Sequence, residues 1–231
     1  MNLNKEIELE LKKRGADFVH FVDISHLTDK QNKGFPHAVL IGIALSPEFI
    51  KMITELPDYV EKMVRTGKVK SDEYVEKEVQ VDGLADWLAN YISDKGFKAY
   101  SQSEENIERT GFYNEKTKAT PLPHKTIAGF AGLGWIGKHN LLVTPNYGSA
   151  VCMCTVLTDA PLSSEIHSPQ ESLCGDCIVC TDICTPKALK GNIWDIDCSR
   201  EHIVDVFQCT QCLKCLVFCP WTQKNADITG N

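Results

Sequence analysis

Apolar residues over the first 160 positions alternate between helical and strand spacing. Residues 4–14 put Ile7 and Leu11 on one face of a short amphipathic helix that Gly15 ends. Phe18–Val22 and Ala38–Leu45 then read as strands. The second is an unbroken apolar run, the pattern of a strand buried on both faces. Helical spacing returns over 47–65 with a break near Pro57, whose ring leaves no N–H to donate. A longer helix is predicted over 72–94, where Leu84, Trp87, Leu88, Tyr91 and Ile92 fall at i, i+3, i+4, i+7 and i+8. Gly96 ends it, and Phe97–Tyr100 starts another strand. Residues 102–123 are polar and read as loop, closing on Pro121-Leu122-Pro123. His124–Ala131 reads as a short helix, and Leu141–Val143 and Ala150–Leu157 as strands. From about residue 161 the periodicity gives way to Pro, Ser and Cys. The fold class this predicts is α+β, with an α/β body over residues 1–160 and a distinct C-terminal module over 161–231.

Composition narrows the function classes. The chain has 231 residues, 43% hydrophobic and 24% charged, with a formal net charge of −7. That charge argues against nucleic acid as a partner, since an extended nucleic-acid surface usually needs a basic face. The longest clean apolar run, Ala38–Leu45, falls far short of the roughly 20 residues that span a bilayer. The first residues are charged at once and carry no signal-peptide core. A cytoplasmic chain with no membrane partner is expected. Cysteine is out of proportion: of 11, 9 lie between Cys174 and Cys219. Clustered cysteines in a cytosolic chain bind metal more often than they form disulfides.

Those cysteines form two runs, Cys174-x2-Cys177-x2-Cys180-x3-Cys184 and Cys209-x2-Cys212-x2-Cys215-x3-Cys219-Pro220. This is the bacterial ferredoxin spacing written twice. Three thiolates spaced three residues apart wrap one face of a cubane, while the fourth, a helical turn on, points to the neighbouring cluster. One [4Fe–4S] cluster would therefore take Cys174, Cys177, Cys180 and Cys219, and a second Cys209, Cys212, Cys215 and Cys184. Zinc is the plainer alternative, but its four-cysteine sites use two CxxC knuckles with a longer gap. Cys184 departs from the pattern by preceding Thr185-Pro186 instead of a proline. Cys198 is a rival for the place of Cys209, which alone keeps the register. Cys152 and Cys154 alternate on a strand and read first as small buried apolar residues, with cofactor lining the other reading. Two adjacent clusters imply electron transfer, without saying to what.

Gly132-Leu133-Gly134-Trp135-Ile136-Gly137-Lys138 matches two nucleotide motifs and satisfies neither. The dinucleotide fingerprint needs strand, turn, helix in that order, whereas here a helix precedes and a strand follows. A phosphate-binding P-loop needs Ser or Thr after the lysine, and this chain has His139. What remains is a turn where the backbone approaches something closely, with Trp135 as a flat apolar surface and Lys138 as an anion partner.

The segment Ala131–Lys138, followed by Gly148-Ser149, Leu157-Thr158-Asp159 and Cys174-Gly175-Asp176-Cys177, resembles the epoxyqueuosine reductase family, iron–sulfur and cobalamin-dependent enzymes related to reductive dehalogenases. The likeness runs over about residues 120–221. It implies a nitroreductase-like α/β body that binds cobalamin over residues 1–160 and a ferredoxin-like double-cluster module packed on it over 161–231. It further implies that Gly132, Gly134, Trp135, Gly137 and Lys138 line the cofactor pocket. The absence of an Asp-x-His-x-x-Gly segment fits the family's base-off mode. Where the family's tRNA-modifying members carry a proton-donating aspartate, this chain has Lys118-Ala119-Thr120-Pro121; His124 and Lys125 are the catalytic substitutes, with Tyr74, Tyr113 and Glu115 further candidates. The function expected is an oxidoreductase that passes electrons from a low-potential donor through two clusters to cobalamin and a small substrate. The alternative is a redox protein that serves a partner without substrate chemistry of its own.

Overall fold

The computed structural model describes residues 2–69 and 72–227. The chain divides into two packed units, each assembled from three stretches. The first takes the chain up to Ile43, then Lys77–Gly132 and Cys152–Ser168; the second takes Ala44–Glu76, Leu133–Val151 and the chain from Pro169 on. The packing units therefore do not divide at residue 161. The cause is size: the cysteine segment alone has too little apolar surface to close a core, so it shares one with stretches from the middle of the chain.

The first unit holds a four-stranded sheet in the order β1-β2-β6-β3. Its strands are β1 (Phe18–Asp23), β2 (His37–Ala44), β3 (Ala99–Ser101) and, from further along the chain, β6 (Val151–Thr158). β1 pairs antiparallel with β2, with Phe18 opposite Gly42, and β3 pairs antiparallel with β6. A Cβ at Gly42 would lie 1.9 Å from the Phe18 ring, so only glycine lets that ring lie flat on the sheet. Ala38–Ile43 of β2 are all buried, as an interior strand requires. Helix α1 (Leu3–Lys13) supplies Ile7 and Leu11, and α5 (Glu73–Asp94) supplies Leu84, Leu88 and Ile92, all buried. Trp87 and Tyr91 stack at the rim of the predicted stripe, 4.9 Å apart, beneath the Arg14 guanidinium. Residues 104–109 correct the expected loop: they form helix α6 (Glu104–Arg109). No residue of α6 is buried, so it leaves no apolar stripe in the sequence.

The second unit is built from short pieces. The predicted break at Pro57 separates α3 (Pro47–Glu55) from α4 (Tyr59–Arg65). Ser46 caps α3 by accepting the Phe49 N–H at 3.1 Å, and Pro47 opens its first turn. A two-stranded hairpin joins β4 (Trp135–Ile136) to β5 (Leu142–Val143). The cysteine-bearing stretch adds α8 (Val179–Ile183), α9 (Arg200–Ile203), α10 (Lys214–Val217) and α11 (Pro220–Asn225), with α10 packed on α8, α3 and α11. No helix among the described residues is long and apolar enough to cross a membrane.

Candidate functional site

The eight cysteines of the two runs are all in the second unit. Burial lifts the Cys180 thiol to about 11, and the neighbouring Cys174, Cys177 and Cys219 thiols add to the rise. Burial likewise drives the Cys215 thiol far up, with Cys212, Cys209, Cys180 and Cys184 pressing in the same direction. Cys174, Cys177, Cys180 and Cys219 thus lie together, while Cys215 has thiols of both runs around it, with Cys180 and Cys184 on or beside the same short helix. In the first of these sets the fourth thiol, Cys219, comes from the other run.

Local structure explains the grouping. Cys177 N–H donates to the Cys174 carbonyl at 3.0 Å, closing the first turn, and Cys180 sits on α8. Cys219 precedes α11, whose Pro220 opens the helix; the Trp221 and Thr222 N–H groups point at the Cys219 sulfur and oppose the upward pull of burial on its thiol. Cys174, Cys177, Cys180 and Cys219 line a cavity of about 90 Å³ closed by Lys138, His139 and Trp221. The second group lies nearer solvent, with Cys209 exposed. All 11 cysteines are free of disulfides. Among the described residues, no three His, Cys, Asp or Glu side chains converge closely enough for a single metal ion. Cys198, half-buried, is on a loop where its N–H donates to the Asp195 carbonyl at 3.3 Å.

The glycine segment makes its close approach to the chain itself. A Cβ at Gly134 would meet the Val143 carbonyl oxygen at 1.9 Å, so the hairpin could not close with any other residue there. Trp135 is buried and meets Trp221 edge to face, with ring centroids 4.8 Å apart. Lys138 is buried too, and its Nζ donates to the carbonyls of Gly175 at 2.7 Å and Cys177 at 3.1 Å. His139 Nδ1 accepts the Leu141 N–H, which leaves Nε2 to donate to Ser149 Oγ at 3.1 Å. In this unit the segment braces the first cysteine turn.

In the first unit, His124 and Lys125 open helix α7 (His124–Phe130). Burial lowers the His124 pKa to about 4, and its Nδ1 pairs with Thr155 Oγ1 at 2.9 Å. At neutral pH it is therefore an uncharged hydrogen-bonding group and holds no imidazolium proton. Cys152 and Cys154 are buried, and the Cys154 thiol, held well above its usual pKa by burial, bonds the Asp82 carboxylate. Sequence reasoning missed Lys214. It is buried between two cysteines of the second run, and its Nζ reaches Asp58 Oδ1 at 2.7 Å and Glu61 Oε2 at 3.4 Å. A lysine inside a ligand-spaced run was the available signal.

Comparison with known proteins defines the class first. A solved reductive dehalogenase, described in terms of B12-dependent dehalogenation, matches 95% of this chain and 33% of its own with a TM-score of 0.63 at 17% identity. A crystal structure of epoxyqueuosine reductase holding an epoxyqueuosine-modified tRNA-Tyr stem loop matches 96% of this chain and 66% of its own, with a TM-score of 0.55 at 16% identity. The fold is thus the mixed α/β fold of these reductases. No family model matches the chain. In sequence it is similar to the epoxyqueuosine reductase of Aliivibrio fischeri, 33% identical over 142 residues, and to that of Synechococcus sp. strain CC9605, 46% identical over 72 residues. These matches cover 54% and 31% of this chain, but only 37% and 22% of the relatives.

Proposed function

We propose that the chain is an iron–sulfur oxidoreductase of the epoxyqueuosine reductase kind, relaying single electrons through two [4Fe–4S] clusters toward a bound substrate. The cavity lined by Cys174, Cys177, Cys180 and Cys219, with Cys184, Cys209 and Cys212 crowding Cys215, carries this reading. Cys174, Cys177, Cys180 and Cys219 would hold one cluster, and Cys184, Cys209, Cys212 and Cys215 the other. The donor set fits: every ligand is a soft thiol, none is in a disulfide, and one group already encloses a cavity. Such clusters supply one-electron transfer. In this reading residues 161–231 act as a ferredoxin-like module and residues 1–160 as a nitroreductase-like body, a functional division that the packing units cut across.

The chain's own residues have definite tasks. Lys138 pins the Cys174–Cys177 turn by two carbonyl contacts. Trp221, braced edge to face by Trp135, lines the first group's cavity. His124, neutral, orients through Thr155. Cobalamin does not fit the residues expected to cradle it: Gly134 is filled by Val143, Trp135 by Trp221, and Lys138 is engaged by the cysteine loop. That mismatch favours a second reading, an electron-transfer protein that serves a partner.

Epoxyqueuosine in a tRNA stem loop is the substrate class to test, given the solved relative that carries one. The protein, loaded anaerobically with iron and sulfide and reduced by dithionite, is incubated with that stem loop with and without cobalamin. Conversion to the reduced nucleoside, read by mass spectrometry, is expected. Reducible clusters without conversion in either arm would leave the electron-transfer reading, and absence of iron and sulfide would overturn both.

A further inference from the structure

Two buried lysines stand beside the two thiol groups, and their electrostatic situations differ. Lys214, from the second run, faces Asp58 and Glu61, so two carboxylates offset its charge. Lys138 faces the carbonyl oxygens of Gly175 and Cys177, and among the described residues no carboxylate is within ion-pair reach of it. Its ammonium is a net positive charge lining the cavity of the first group. Cys180 and Cys219 of the first group are buried and Cys174 and Cys177 half-buried; in the second, Cys184 is buried and Cys209 exposed.

Reduction adds one negative charge to a cluster, so surrounding charge, hydrogen bonding and solvent set its potential. Solvent near Cys209 can stabilise the reduced second group. Around buried thiols such as Cys180 and Cys219 the surrounding dielectric is low, and there a fixed positive charge acts strongly. We propose that Lys138 is a potential-setting residue. Its ammonium, with no carboxylate partner among the described residues, keeps the first cluster reducible, while Lys214 is engaged by Asp58 and Glu61. The exchange it supports is balanced: one electron leaves the second cluster, oxidising it by one, and enters the first, reducing it by one. No bond or proton moves.

The inference rests on the proposed two-cluster reading, so the test begins by counting iron and sulfide in the reconstituted full chain. Their absence sinks both. With both clusters present, potentials are measured by dithionite titration followed by electron paramagnetic resonance, and Cys177→Ser identifies the first group's signal. Lys138→Gln should make the first cluster at least tenfold harder to reduce, about 59 mV for a one-electron couple, and leave the second unshifted. Lys138→Arg should restore it, and Lys214→Gln should leave the first cluster unshifted. Full iron content with an unmoved first potential in Lys138→Gln would overturn the proposal, because a purely structural clamp predicts that result. Should Lys138→Gln fail to load the first cluster, the double variant Asp58→Asn, Glu61→Gln decides. Freeing Lys214 should ease reduction of the second cluster by a similar factor, and an unchanged potential would overturn the idea.

Discussion

In the sheet unit an interior strand buries Ala38–Ile43 without interruption, and helices of 11 and 22 residues lay buried stripes against the core. In the cysteine unit the helices after residue 170 are four to six residues long, and Leu173, Ile178, Ile193, Ile196 and Phe207 are exposed. Helices that short are not stable by themselves. Apolar burial, at roughly 1.5–3 kcal/mol per large side chain, suffices for the first region. The second borrows its apolar core from α3 and the β4–β5 hairpin, and adds a few polar clamps and, in the reading proposed above, metal–thiolate bonds. The difference teaches where each kind of damage should register.

Cys177→Ser should have the largest effect. It should cost about four of about eight irons and much of the cysteine unit's stability, since ligation contributes to folding, while amide protection of β1, β2 and β6 persists. Ile41→Ala inverts the experiment. Removing a fully buried side chain from β2 should cost about 2–5 kcal/mol in chemical denaturation and leave iron content unchanged. If the two variants fail in the same way, the contrast between the units is wrong. A subtler break uses pH. With the native His124 pKa near 4, below its ordinary value, the unfolded chain binds more protons between about pH 6.5 and pH 4. Stability should be full above that window and fall by about 2–3 kcal/mol as pH drops through it; His124→Gln should flatten the slope. The smallest effect should be that of Cys198→Ser, with no change in iron; a fall by about four irons would make Cys198 a ligand in place of Cys209.

The contrast also explains what could be read from the residues alone. Strands β1, β2 and β6 and the long helix α5 announce themselves because apolar burial imposes a period on the sequence. Helix α6 buries nothing and imposed none. The spacing of the cysteine runs was legible, and Cys174, Cys177 and Cys180 do lie together with Cys219. The assembly around them was not: Lys138 reaches carbonyls 37 and 39 residues away, and Lys214 a carboxylate 156 residues away. Such contacts leave no local pattern. The glycine segment carried a real signal, close backbone approach, but not the identity of what approaches. It is the β5 strand at Gly134 and, at Gly148, the Thr222 backbone, where a Cβ would come within 2.4 Å.

The most direct test is analysis of iron, acid-labile sulfide and zinc in the anaerobically reconstituted protein, with low-temperature spectra after dithionite reduction. The account predicts about eight irons and about eight sulfides per chain, with signals of two one-electron centres. Zinc without sulfide, or iron bound as isolated ions, would contradict it.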